Sequence, residues 1–494
     1  MRKCQKMLRV ANLPLSKMMP CTLTDWSFGG STFMNLRKLF DAQKEIAERQ
    51  SSPTKTRFAE FFYGHRHGAY ILLIVIIALV IRLVAIDHGF PYIYHADEPA
   101  VIRSALGIRF DPNPHHFDWS HLYFYLNYFV YMVFAKLRDL ATLAGLKAWV
   151  GSIAPIIYND NLIFYLLSRV FSATLGAFTI IPLYLWVKKL VSRNAGLLAS
   201  AFLALAPFHV RHSHYALIDV PMLFFLSWSL FFSTFSPILA GLFLGFSAST
   251  KYNGILGGLF MALFYLLRGS KPLIQRALDV VKLGIFTVIG FFIGTPYALL
   301  DYKTFIRTDG PQGALWQFTN VGKVPFLEQI EKFVSALSTK LPNDLGYGAW
   351  LILLAGLAVA GASIVARSKA TKQSIILTCL QRIGYKPIDD STPLRFVIPL
   401  AVGVFLALTF YISGLEKNRS HYYMVVYPYF FLLAGWAFSL VIYKFKKPFH
   451  KIIPILIVLL PSLIMSVSNI VSLVNKTSST IYGGDVQENV RITP

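Results

Sequence analysis

Long apolar runs recur along the chain from Ala69 almost to the C-terminus, separated by short stretches that are basic, polar or rich in Tyr, Phe and His. Several, such as residues 69–86, 163–187 and 452–471, approach the roughly 20 apolar residues with which a helix crosses the hydrocarbon core of a bilayer. The pattern predicts crossings at residues 69–86, 162–187, 195–211, 220–235, 237–249, 254–267, 280–300, 347–366, 396–413, 422–443 and 452–473, about eleven helices, with short spans and weak boundaries near 237 and 254. Residues 121–137, HLYFYLNYFVYMVFAKL, are apolar too, but they are crowded with the Tyr and Phe of membrane–water interfaces. They suit an amphipathic helix lying in the surface plane of the first outer loop. The expected fold is an all-α polytopic membrane protein.

Charge orients this bundle. Basic residues cluster before the first run, at Lys188, Lys189 and Arg193, between Arg268 and Lys282, between Arg367 and Arg395, and between Lys444 and Lys451. The positive-inside rule makes these segments cytoplasmic. The N-terminus then lies inside and the C-terminus outside, with outer segments at residues 87–161, 212–219, 250–253, 301–346, 414–421 and the tail. Lys136, Arg138 and Lys147 fall on the outer side, where lipid phosphates can meet them.

Composition agrees with a bilayer solvent. Of 494 residues, 55% are hydrophobic and only 14% charged, with mean hydropathy +0.54, whereas a soluble domain carries about 25% charged residues. The net charge of +23 sits in clusters between apolar runs, so nucleic acid is not an expected partner. Cys4, Cys21 and Cys379 show neither CxxC spacing nor a Cys/His ligand set, so no disulfide framework or zinc site is expected. No n-region and h-region precede Ala69, so no cleavable signal peptide is expected, and Met34 opens a more ordinary N-terminus than Met1. The resulting division is a basic, partly disordered cytoplasmic extension (1–68), a first membrane module (69–305) containing the outer loop 87–161, a variable C-terminal membrane module (306–473) and a polar tail (474–494).

Most candidate chemistry falls on the outer side. GFPYIYHADEPAVIRSAL places Asp97 and Glu98 together just beyond the first helix. Asp before Glu-Pro is also a helix N-cap signature, but capping needs one small polar residue and does not call for a second carboxylate. A carboxylate at the membrane surface is suited to act as general base toward a hydroxyl. Asp219, in HVRHSHYALIDVPMLFF, stands where a run enters the membrane, a costly place for an acid without a partner or a task. Lys251 in STKYNG, and Lys417, Arg419, His421, Tyr422 and Tyr423 in EKNRSHYY, offer cations and donors suited to a phosphate, or anchors that snorkel at helix ends. His95, His115, His116, His121, His212 and His214 lie outside as well, near Asp97, Asp111 and Asp118. A divalent metal there is a weaker alternative to interfacial hydrogen bonding.

On the motifs HADEP, SRVFSATLGAFTIIPLYLWVKKLVSRNAGLLASAFLALAPFHVRHSHYALIDVPMLFF, STKYNG and GTPYALLDYKTF, and more loosely NRSHYYMVVYPYFFLLAG, the chain resembles the GT-C glycosyltransferases that use polyprenyl-phosphate sugars. It is similar in particular to protein O-mannosyltransferases and to the aminoarabinose transferase of lipid A. The resemblance covers residues 69–305 well and implies a GT-C-type bundle. It implies Asp97 as catalytic carboxylate with Glu98 as companion, Asp219 as a positioning residue for acceptor or sugar, and Lys251 and Arg419 as ligands of the donor phosphate; His214 is a further candidate for the positioning role, and His421 and Tyr422 for the phosphate. The large luminal insert of eukaryotic protein O-mannosyltransferases has no counterpart here, so the resemblance does not carry an acceptor over.

The expected activity is inverting transfer of a sugar from a polyprenyl-phosphate donor to an acceptor hydroxyl of a protein, lipid or glycan at the outer face, with no metal or other cofactor required. A prokaryotic plasma membrane suits the missing insert. The rival is a lipid or lipid-linked-sugar flippase, for which internal repeats and acids at several depths would be expected. Neither is evident in the sequence. A non-catalytic scaffold would leave the paired acids without a reason.

Overall fold

A computed structural model of the chain describes residues 55–159, 161–269, 271–320, 322–368, 394–442 and 448–475. The N-terminal extension up to residue 54 with Met34, the three cysteines, the basic segment 369–393 and the tail after residue 475 lie outside the described residues. One compact unit begins at His67.

Among the described residues the structure is helical apart from one isolated β-bridge. The main helices are α1 (Lys55–Leu83), α2 (Asp97–Gly107), α3 (Leu122–Leu143), α4 (Leu162–Phe178), α5 (Ile180–Leu190), α6 (Arg193–Ala204), α7 (Pro207–His212) and α8 (Asp219–Ser233). They continue as α9 (Pro237–Thr250), α10 (Gly258–Leu267), α11 (Leu273–Gly294), α12 (Phe326–Ser335), α13 (Tyr347–Ser368), α14 (Leu394–Ser413), α15 (Tyr427–Ile442) and α16 (Pro448–Val474). Five helical stretches are long and apolar enough to cross a membrane: Leu162–Leu190, Leu273–Gly294, Phe396–Ser413, Ser420–Ile442 and His450–Val474. Five shorter ones are apolar as well: Gly68–Leu83, Asp219–Ser233, Pro237–Thr250, Tyr252–Leu267 and Tyr347–Ala358. The chain is an integral membrane protein.

These ten match expected crossings, and the eleventh, 195–211, is broken. Pro207 lacks an N–H and drives the preceding Ala206 into an extended conformation, so α6 stops at Ala204 and a short helix restarts at Pro207. Within a bilayer the freed carbonyls need donors from the protein. The fully buried Arg82 of α1 supplies them, reaching Leu203 O at 3.2 Å and Ala204 O at 3.0 Å, while Ser466 Oγ of α16 donates to Leu205 O at 3.0 Å.

The expected span 280–300 is also shifted, running instead from Leu273 to Gly294, where Thr295-Pro296 ends it. Residues 122–143 form α3, longer than the run 121–137, and α3 is not among the helices apolar enough to cross. Its inner face buries Tyr123, Phe124, Asn127 and Tyr131, with Tyr131 Oη 2.5 Å from Ser168 Oγ of α4, and its outer face leaves Phe129, Leu137 and Leu140 exposed.

Between lipid-facing helices there is little hydrophobic driving force, so close packing has to come from small residues. Two GxxxG stripes provide it, Gly241 and Gly245 on α9 against Gly290 and Gly294 on α11. A Cβ at Gly245 would meet the backbone of Thr287 and Phe291, and one at Gly290 the carbonyl of Leu242. Helix α15 forms the centre of the larger core: Tyr429 packs on Phe260 (5.3 Å between rings) and Trp186 (6.1 Å), and Gly435 lets α6 approach at Ala195 and Ala199.

Gly245→Val puts a branched side chain into backbone that cannot give way. It is expected to cost about 1–3 kcal/mol and to lower the thermal unfolding midpoint in detergent. Gly403→Ala, where a Cβ meets nothing, should leave that midpoint unchanged.

Candidate active site

The loop after α1 is pinned by α4. Arg169 on α4 is wholly buried and grips Glu98 with two parallel bonds, Nε to Oε1 and Nη2 to Oε2, both 2.8 Å. Its third nitrogen donates to His88 O (2.9 Å) and Ile86 O (3.2 Å), and its guanidinium lies 4.9 Å from the centre of the Phe90 ring. Glu98 Oε1 also accepts the Ala216 N–H at 2.9 Å, which ties the start of α2 to the segment before α8. Burial alone would raise the pKa of Glu98, but the Arg169 charge, its bonds and the Ala216 N–H hold the carboxyl below its ordinary value. Glu98 is thus fully buried in this ion pair and is not among the residues that line the cavity beside Asp97.

Successive helical residues point about 100° apart, so a Glu98 turned inward leaves Asp97 turned outward. Asp97 is half-buried and faces a cavity of about 630 Å³. Its carboxylate makes no hydrogen bond or ion pair with other described residues, and it does not cap α2, whose first turn it occupies beyond Ala96. The positive end of that helix favours its charge. His95, whose pKa burial lowers, accepts the Asp97 backbone N–H on Nδ1 at 3.3 Å and carries the cavity wall toward the second acid.

Asp219 opens α8 and does not cap it either. Its Oδ1 pairs with Lys251 Nζ and its Oδ2 lies 3.1 Å from His212 Nε2. The Lys251 ammonium sits 4.8 Å from the centre of the Tyr422 ring, and His212 stacks with His421 at 6.0 Å. Asp97, Asp219, Lys251, Arg419, His421 and Tyr422 therefore all line one cavity, although they come from four separate segments of the chain.

His214 does not join them. It is buried between two backbone carbonyls, Val210 O at 2.8 Å and Val84 O at 3.0 Å, where it holds the 213–218 turn to the end of α1. Its neighbour two residues earlier, His212, takes the place beside Asp219. HVRHSHY offered both histidines, and only the turn after α7 separates their directions.

The cavity also includes Asp118, considered in the sequence only beside a possible metal, and residues that sequence reasoning did not single out, among them Lys323 and Tyr411. Asp118 Oδ1 is 2.5 Å from His116 Nδ1, and His116 Nε2 is 2.9 Å from Ser104 Oγ. Among the described residues no group of three or more His, Cys, Asp or Glu is gathered to hold a metal ion.

Residues 128–282 match the protein family described as dolichyl-phosphate-mannose-protein mannosyltransferase, a stretch that holds Asp219 and Lys251 but not Asp97. Over 152 residues the chain is 27% identical to dolichyl-phosphate-mannose–protein mannosyltransferase 1 of Saccharomyces cerevisiae, covering 27% of this chain and 18% of that protein. The apo crystal structure of the Archaeoglobus fulgidus oligosaccharyltransferase superposes with a TM-score of 0.52 at 12% identity, over 88% of this chain and 61% of that one. ArnT from Cupriavidus metallidurans, solved with undecaprenyl phosphate, gives a TM-score of 0.47 at 16% identity over 79% of this chain and 62% of that one. The chain spans under a fifth of the yeast relative and about three fifths of the oligosaccharyltransferase, whose likeness is one of fold.

Removing one partner of a buried ion pair costs about 3–5 kcal/mol, so Arg169→Met should sharply lower thermal stability in lipid nanodiscs. Asp97→Asn, which breaks no bond, should unfold as the parent does. Equal stability of Arg169→Met and the parent would refute the pinning of the loop.

Proposed function

We propose that this GT-C membrane protein moves a sugar from a polyprenyl-phosphate carrier to an acceptor hydroxyl at the outer face of the membrane, with inversion at the anomeric carbon. The observation that carries the reading is a single cavity in which an unpartnered carboxylate, Asp97, shares the walls with Lys251, Arg419 and Tyr422. The matched family's description names dolichyl-phosphate-mannose, a carrier of this chemical class.

In this reaction the acceptor O–H gives its proton to Asp97 as its oxygen attacks the anomeric carbon. The bond from that carbon to the phosphate oxygen breaks, and the electron pair leaves with the phosphate. The carrier goes from a singly charged diester to a monoester that gains a second negative charge. Cations fixed beside that oxygen stabilise the transition state more than the ground state. Arg419 offers a planar fork of donors. Asp219 orients Lys251 and His212 and positions sugar or acceptor. Glu98 acts only by holding Asp97 through Arg169. No step requires a metal. A bilayer-dissolved donor accounts for a site built at the ends of membrane helices, and a prokaryotic plasma membrane is the location that best suits the short outer loops.

With purified protein in nanodiscs and a panel of radiolabelled polyprenyl-phosphate sugars, Asp97→Asn should lower turnover by about 10²–10⁴-fold, the range of general-base catalysis, with donor binding kept. If no donor is consumed while labelled lipid crosses the bilayer, the flippase reading takes over. Turnover in EDTA should equal that without it, and a loss restored by a divalent cation would overturn the metal-free scheme.

A further inference from the structure

We infer that Lys323 is a second ligand of the carrier phosphate, acting with Arg419 in the same cavity; the inference rests on the transferase reading. Of the cations lining the cavity, Lys251 already has its charge offset by Asp219 and its ammonium packed against Tyr422. Lys323 and Arg419 also line the cavity, and neither makes an ion pair with any described residue. They are the charges left for an anion.

Backbone pairing ties the segment that carries Lys323 to the one that leads to Arg419. Lys323 forms the isolated antiparallel bridge with Leu415, flanked by Val324 N–H donating to Gly414 O at 3.0 Å and Glu416 N–H donating to Gly322 O at 3.2 Å. Gly322 takes a φ of +69°, with the Glu416 side chain packed where a Cβ would stand, so this turn requires glycine. Lys340 fixes the far end of the strand by donating from Nζ to Asn418 O at 2.6 Å and to Asn418 Oδ1 at 3.0 Å, next to Arg419.

Two like charges without acidic partners among the described residues share one cavity, and a bound phosphate offsets their repulsion. The cavity lining also includes Phe318 and Tyr411, which are 62% and 51% exposed, apolar surface along which a prenyl chain can lie. Two cations also match the chemistry. One balances the donor diester, and the second meets the charge that develops as the monoester leaves.

The test measures equilibrium binding of undecaprenyl phosphate and of dolichyl phosphate to the full chain in nanodiscs, comparing the parent with Lys323→Gln, Lys323→Arg and Lys303→Gln. Lys303 is an exposed residue of the same outer loop outside the cavity wall and controls for net charge. Lys323→Gln is expected to weaken binding by about tenfold or more, the worth of one bond to a charged group, and to flatten its salt dependence. Lys323→Arg should recover most of the loss, and Lys303→Gln should bind as the parent does. Parental binding by Lys323→Gln, an equal loss in Lys303→Gln, or a failure of Lys323→Arg to recover binding overturns the inference and leaves the transferase reading standing. A parent chain that binds neither lipid overturns both.

Discussion

The site depends on one buried ion pair. Arg169 and Glu98 are both fully enclosed, and in that low-dielectric setting each charge is tolerable only because the other is there. The pair does more than neutralise itself. Through Ile86 O, His88 O and Ala216 N–H it ties the exit of α1, the start of α2 and the approach to α8 to a single point on α4. A free carboxylate at Asp97 is a consequence, since the helix turn that buries Glu98 presents its neighbour to the cavity.

The bilayer imposes the second constraint, that irregular backbone must find its donors within the protein. The break between α6 and α7 is where this shows. Pro207 ends the helix, and the released carbonyls fall to Arg82, a cation buried in α1 that also contacts Ser213 Oγ at 3.3 Å and His209 Nδ1 at 2.8 Å. The break lets the chain turn early enough to bring His212 beside Asp219. A polar network inside the membrane therefore shapes a site at its edge.

Within the cavity, pairing separates the charges into two sets. Asp219 and Lys251 hold each other, Asp118 is engaged by His116, and Asp97, Lys323 and Arg419 stand without ion-pair partners among the described residues. Sequence position could not distinguish these sets. Lys251 and Arg419 look alike as outer cations beside Tyr-rich helix mouths, and only the folded chain gives one of them an acid.

The sequence by itself determined the solvent, the helical class and the positions of ten apolar helices, five of them long enough to cross a membrane, because apolar run length is a local property that a bilayer enforces directly. The two GxxxG stripes are local patterns of the same kind. The tertiary structure decided which member of each pair faces the site. Asp97 and Glu98 are adjacent, as His212 and His214 nearly are, and their roles divide according to Arg169 and the Val84 and Val210 carbonyls, one of them 130 residues away. Lys323 was invisible for the same reason: its place depends on a backbone pairing with residues 414–416 that no local pattern encodes.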